Sequence, residues 1–250
     1  MSIKKGRVAL VTGAGQGIGK GVALKLAENG ARVVVCDINE KTAQAVVDEI
    51  TASGHEAFAV AGDVGSKQDC IRFVQTSLDR WGTLDILVNN AGIIRDAFMH
   101  KMTEDQWDAV LRVNLKGVFL CMQAAREPMK KQNYGRIINI SSSACKGNMG
   151  QANYSSAKAG VNALTYVAAL ELARHGITTN SICPGLIDTP MARSVPKEIF
   201  DKWVEAIPVK RLGHPDDMAH AVMFFAAEEA GFINGQTIYV DGGMQTGLKM

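Results

Sequence analysis

The chain has 250 residues, 47% of them hydrophobic, with 27 basic against 25 acidic side chains and a net charge of +2. That balance leaves no basic footprint for nucleic acid, no 18-residue apolar run is present to span a membrane, and a chain of this length buries a large core as one domain. Five cysteines without CxxC spacing, and an N-terminus that runs straight from Met1 into the first strand, predict a cytoplasmic protein with no leader and no metal site.

The first predicted strand, 7–11, is a short apolar run. It is followed at once by Thr12-Gly13-Ala14-Gly15-Gln16-Gly17-Ile18-Gly19 and a helical stretch through Glu28. Strand, glycine loop and helix form a cradle for a pyrophosphate, because glycines let the backbone approach phosphate oxygens and the helix N-terminus offers free N–H groups. A second strand, 32–36, ends at Asp37, 18 residues after Gly19, close to the offset at which an acid accepts hydrogen bonds from an adenosine ribose. Its carboxylate suits the two ribose hydroxyls of NAD and repels the 2′-phosphate of NADP. Ile38 and Asn39 follow rather than Arg or Lys, and the loop carries Gln16 where a basic residue could have met that phosphate. NAD is therefore the predicted cofactor; the competing use of Asp37 is as a cap for the helix that starts near Glu40.

Further strands are predicted at 57–60, 84–88, 136–140, 178–182 and 236–240. Helices are predicted at 41–52, 67–80, 103–112, 115–131, 154–175 and 215–227. This alternation implies an α/β fold: one Rossmann-type, doubly wound, seven-stranded parallel sheet over 1–250 with helices on both faces. The stretch 184–214, holding Pro184, Gly185, Pro190, Pro196, Pro208 and Gly213, reads as an irregular substrate lid. On the helix at 154–175, Tyr154 and Lys158 are four residues apart and share a face. A neighbouring ammonium favours phenolate and would bring the phenol toward acid–base work at neutral pH. Cys145 is expected to be a small packed thiol.

Taken in order, these motifs resemble the short-chain dehydrogenase/reductase family of the 250-residue type, and are similar to 3-oxoacyl carrier-protein reductases. The resemblance runs over the whole chain: the glycine loop, Asp63-Val64, Asn89-Asn90-Ala91-Gly92, Asn114, Ser142, Tyr154 with Lys158, and Pro184-Gly185. It implies that Tyr154 exchanges a proton with the substrate oxygen, Lys158 holds the nicotinamide ribose, Ser142 bonds the substrate oxygen, and Asn114 fixes a water of a proton relay. It also implies cofactor contacts at Ile18, Gly19, Asp63, Val64, Asn90, Gly92, Ile187 and Thr189, beside those expected of Gly13, Gln16, Gly17, Asp37 and Ile38. Ser143 stays open as the alternative serine, because relatives commonly have one residue more in that loop.

The substrate pocket is expected from Ser142, Gln151, Tyr154, Leu186, Met191 and the segment 195–203, mainly apolar. Arg193 reads as a solvated lid charge, with an anion-binding role as the alternative. The resembling reductases carry arginines where this chain has Asn133 and His175, which weakens acyl carrier protein as partner, although Arg174 is adjacent. With Asp37, this favours an NAD-linked dehydrogenase of a secondary alcohol or 3-hydroxyacyl group, a small-molecule substrate. The alternative is an NADPH-dependent 3-oxoacyl-thioester reductase. A non-catalytic nucleotide sensor would not need Asn114, Ser142, Tyr154 and Lys158 together, and a sugar-nucleotide epimerase needs a larger second domain. The resemblance also implies a homotetramer formed through the helices at 103–131 and 154–175 and the segment at Asp241-Gly242-Gly243.

Overall fold

The computed structural model describes residues 2–190, 192–194 and 197–245, with backbone alone for 194 and 197–200. Seven strands, β1 (Val8–Thr12), β2 (Arg32–Asp37), β3 (Ala57–Ala61), β4 (Ile86–Asn89), β5 (Gly135–Ile140), β6 (Ile177–Pro184) and β7 (Thr237–Val240), pair in parallel in the order β3-β2-β1-β4-β5-β6-β7. Their β-branched runs suit strands covered on both faces. The two-residue pleat sends Ala9, Val11, Val33, Val35, Ile86 and Val88 to one face, where they meet α1 (Gly17–Glu28), α2 (Glu40–Ala52) and α8 (Pro215–Ala226). Val8, Leu10, Val34, Leu87 and Ile137 point to the other, against α3 (Lys67–Trp81), α5 (Gly117–Lys131) and α6 (Ala152–Leu172). Each fully buried Val, Leu, Ile or Phe of these cores contributes about 1.5–3 kcal/mol. The strand order reverses between β1 and β4, which opens a crevice at their carboxyl ends.

Three elements differ from expectation. The helices predicted at 103–112 and 115–131 are continuous: α4 (Glu104–Leu111) passes through a π-helical turn at Arg112–Lys116 into α5. One extra residue slips the apolar phase there, and a phase slip reads in sequence as a break. The stretch 184–214 is not wholly irregular, since it contains a 3-10 turn at Ala192–Ser194 and α7 (Lys197–Ala206). Pro208 lies beyond the end of that helix instead of interrupting it. Last, α6 starts two residues before Tyr154 and ends in a 3-10 turn at Ala173–His175, stopped by Gly176 with φ of 68°.

The end of the sheet opposite the crevice is tied by a polar cluster. Arg7 forks onto Glu228 (3.0 Å from both Nε and Nη2) and reaches Asp85 (2.8 Å). Asp85 also accepts from the Val8 N–H (2.8 Å). The Tyr134 hydroxyl donates to Glu228 (3.0 Å), and its ring lies under the guanidinium of Arg7 (3.5 Å) with that of Arg136 nearby (4.5 Å).

Candidate active site

The crevice begins at the glycine loop. Gly13 and Gly17 take φ of 61° and 55°, which only glycine adopts freely. A Cβ on Gly19 would sit 2.2 Å from the Gly13 carbonyl oxygen, so α1 can approach the loop only as glycine. Gln16 precedes α1 with no side-chain cap, and no acid lies in the first turn, which leaves the backbone N–H groups around Gly17, Ile18 and Gly19 directed at the crevice with the positive end of the helix dipole. Asp37 closes β2, its carboxylate accepting from the Gly15 N–H (2.9 Å) and the Asn39 N–H (3.0 Å). The cap of α2 is Asn39, not Asp37, and the acid shapes the loop at Gly15 and Asn39. Ile38, 74% exposed, stands beside it.

The other residues expected to contact the cofactor follow the carboxyl ends of β3, β4 and β6. Asn90 holds the end of β4 against the glycine loop through Nδ2 donated to the Thr12 and Gly13 carbonyls (2.9 and 3.0 Å). Asp63 caps its own turn at Gly65 (2.8 Å) and pairs with Arg112 of the π turn (2.6 Å), while buried Val64 packs on Gly117. Across the opening, the Thr189 methyl group lies 3.2 Å from where a Cβ on Gly17 would be, and buried Ile187 bridges to Gly213. Gly92 lies near the Asn114 amide. A cradle that only glycine permits, uncapped helix N–H groups and a carboxylate at the end of β2 together fit a dinucleotide.

Beside this cradle stand the four residues expected to handle the proton. Asn114, fully buried in the π turn, accepts from the Ile93 N–H (2.8 Å) and donates to the Ile93 carbonyl (3.0 Å). Single π turns recur at functional sites because they re-aim a side chain without breaking the helix. Ser142 follows β5 in extended conformation (φ −168°), its Oγ accepting from the Ala144 N–H (3.1 Å). Its hydroxyl favours the Tyr154 phenolate. Lys158 is buried; its Nζ donates to the Ile140 carbonyl (2.7 Å) and lies 5.6 Å from the Tyr154 ring centre.

The expected electrostatics are reversed. Burial pushes the Tyr154 phenol up to about 12; the Ser142 hydroxyl opposes this and the Asp96 carboxylate adds to it. Burial also pulls Lys158 down to about 8. Desolvation, which sequence spacing cannot show, outweighs the attraction expected of neighbours four residues apart.

At the mouth, the Gln151 amide is committed at both ends: Nε2 donates to Asp96 (2.9 Å) and Oε1 accepts from Asn148 (2.9 Å). It bridges two loops instead of facing a substrate freely. Asp96 and Asn148 carry no motif that could have identified them, nor do the exposed Phe98, Met99 and Met149 near this opening. Arg193 forks onto Asp188 (2.6 and 2.7 Å). Leu186 and Trp203 are half-buried, while Met191, Val195 and Pro196 lie outside the described residues. Cys145 is half-exposed, not packed, with Sγ 3.6 Å from the Tyr239 hydroxyl.

A family model described as Enoyl-(Acyl carrier protein) reductase matches residues 13–245. The chain is 46% identical to a (2S)-[(R)-hydroxy(phenyl)methyl]succinyl-CoA dehydrogenase subunit of Thauera aromatica, over 95% of this chain and 96% of that one. It is 47% identical to a 3-oxoacyl-[acyl-carrier-protein] reductase of Synechocystis, over 98% and 99%. A solved structure from Agrobacterium tumefaciens, assigned as a gluconate dehydrogenase, superposes with a TM-score of 0.93 at 38% identity and 98% coverage of both chains. Together with the crevice and its residues, these likenesses mean that the chain belongs to the short-chain dehydrogenase/reductase family, oxidoreductases that bind a nicotinamide nucleotide and act on CH–OH and keto groups.

Proposed function

We propose that the protein is an NAD-linked dehydrogenase of a secondary alcohol or 3-hydroxyacyl group, with Tyr154 as general acid and base. The observation that carries the cofactor choice is the Asp37 carboxylate, held at the end of β2 by two backbone N–H groups with no Arg or Lys directly after it. The glycine loop, Ile18, Asp63, Val64, Asn90, Gly92, Ile187 and Thr189 would hold the nucleotide, and Lys158 its nicotinamide ribose. The bound nicotinamide supplies or accepts the hydride.

The protein's own groups handle the proton. With its phenol near 12, Tyr154 stays protonated at neutral pH and is ready to donate to a ketone oxygen that Ser142 orients. Alcohol oxidation requires the phenolate, so positive charge brought near the ring favours that direction. Asn114, fixed to Ile93, offers the position for a relay water behind Lys158. Replacing Tyr154 with Phe should lower kcat by about 10²–10⁴-fold with the fold intact, in line with loss of a general acid. Turnover near the wild-type rate would refute this assignment.

The second reading, a 3-oxoacyl carrier-protein reductase, has support in the names of several relatives and in one surface. Arg174 donates to His175 (3.2 Å), and burial, with the charges of Arg174, Lys130 and Arg126, lowers the His175 pKa against the opposing Glu127 carboxylate. An acidic carrier would find a footing there, although Asn133 and His175 replace the arginines of the resembling reductases. A panel of secondary alcohols, polyols and 3-hydroxyacyl thioesters of coenzyme A and of carrier protein, assayed with NAD and NADP in parallel, separates the readings. Preference for NADP together with the carrier thioester would overturn the first.

Assembly as a homotetramer is supported by apolar side chains on the outer faces of α4, α5 and α6: Trp107, Phe119, Tyr166, Val167 and Leu170 are 39–83% exposed. Sedimentation giving only monomer would refute it. Five free cysteines fit a reducing cytoplasm, and no helix among the described residues is long and apolar enough to cross a membrane.

A further inference from the structure

The residue immediately before the phenol is an asparagine with no exposed surface, and the proton-transfer set makes no use of it. The Asn153 side chain is committed entirely to backbone. Its Nδ2 donates to the carbonyls of Arg95 and Gln106, each at 3.0 Å, and its Oδ1 accepts from the Tyr154 N–H at 2.7 Å. The two carbonyls belong to different parts of the chain: Arg95 lies in the connection after β4, and Gln106 in α4. One amide therefore joins three segments at the point where α6 begins.

The start of α6 needs such a joint. Gln151, at the cap position, gives no side-chain hydrogen bond to the helix, and no acid lies in the first turn. Tyr154 carries one of the N–H groups that a helix N-terminus leaves without an intrahelical partner, and Asn153 satisfies it from within the turn. The hydrogen bonds of Asn153 thus act on the backbone of the residue whose side chain must meet the substrate oxygen. Proton and hydride transfer demand reacting atoms held in near-attack geometry, where a displacement of about 1 Å costs on the order of 10²-fold in rate.

We infer that Asn153 is a positioning residue for Tyr154: its amide ties the first turn of α6 to the β4–α4 connection and to α4, and so sets where the phenol stands. This rests on the reading of Tyr154 as the proton-transfer group. It predicts a loss confined to the chemical step, because no part of Asn153 belongs to the nucleotide cradle.

The test compares Asn153→Ala, Asn153→Ser, Tyr154→Phe and Asn180→Ala with wild type. Asn180 is a suitable control: it is also buried, also bridges backbone segments through Ile233 and Gln236 (2.8 and 2.9 Å), and sits on β6. Each protein is measured for Tm, for binding of reduced nicotinamide nucleotide by fluorescence, and for kcat and KM with 3-hydroxybutyryl-CoA or, if that is not turned over, the fastest member of the panel above. Asn153→Ala should lower kcat by roughly 10²-fold, with nucleotide binding unchanged. Asn153→Ser, whose hydroxyl can still donate to one carbonyl, should fall between Ala and wild type, and serves as the folded comparison if the alanine variant is too unstable. Asn180→Ala should lose Tm but keep kcat. Wild-type kcat in either folded Asn153 variant, or an equal loss of kcat in Asn180→Ala, would overturn the inference. Persistent turnover in Tyr154→Phe would instead refute the underlying assignment, whatever the Asn153 variants do.

Discussion

Lys158 shows what chemistry costs this fold at the scale of one residue. Its ammonium is buried, with the Ile140 carbonyl accepting from it, and its pKa falls from 10.5 to about 8. The folded value lies below the unfolded one, so the contribution is unfavourable. It is fully present below about pH 8, where both states are charged. It is relieved as pH rises from 8 toward 10.5, where the unfolded state binds the extra proton. Lys158→Met should therefore stabilise the nucleotide-free protein at pH 7 by up to roughly 3 kcal/mol, read as a higher Tm, while abolishing turnover. A lower Tm would show that the lost hydrogen bond to Ile140 outweighs the relieved charge. Asp37 supports the loop at Gly15 and Asn39, and in the function proposed above it also selects the nucleotide. Asp37→Ser should narrow the NAD:NADP ratio of kcat/KM by about ten- to a hundredfold, equivalent to 1–3 kcal/mol for charge-assisted hydrogen bonds, and also weaken NAD itself. An unchanged ratio would assign Asp37 to loop support alone.

At the scale of elements, the close approach of α5 to the segment after β3 links core packing to the nucleotide crevice. A Cβ on Gly117 would come within 2.8 Å of Val64 Cγ2. Gly117→Ala should force the two apart at a cost of about 1–3 kcal/mol, as overpacking does, and weaken nucleotide binding in parallel. Calorimetric unfolding and nucleotide titration on the same sample check both effects, and a stability loss with unchanged binding would uncouple them. The sequence made the strands, most helices and the glycine loop legible because their cues are local: β-branched runs, a 3.6-residue period and residues tolerant of positive φ. The π turn at Arg112–Lys116 was not legible, since an inserted residue imitates a helix end. Nor was α7, because the prolines in its stretch of sequence read as irregular chain. That Tyr154 and Lys158 share a face of α6 follows from their spacing, and that Ser142 stands at the end of β5 from the strand before it. Asp96, Asn148 and Arg112 become visible only when the chain has folded, because what defines each is a partner distant in sequence.

For the whole molecule, the cluster around Arg7 and the crevice lie at opposite ends of the sheet. Asp85 is nearly buried, its side chain 4% exposed, and depends on Arg7 for its cation. Arg7→Leu should cost about 2–4 kcal/mol, somewhat less than loss of one partner from a fully buried pair, because Arg7 and Glu228 remain partly solvated. Denaturant unfolding should record that loss while kcat of the folded fraction at 25 °C stays at the wild-type value. A matching fall in kcat would mean that strain crosses the sheet. The separation also bears on descent. A lineage can alter the segments that follow the strands, trading Phe98, Met149 or α7 for other residues, without re-solving how the strands find one another, because the fastening of the sheet lies at its far end. New alcohols can then be acquired by drift at one pole while the other keeps the protein foldable.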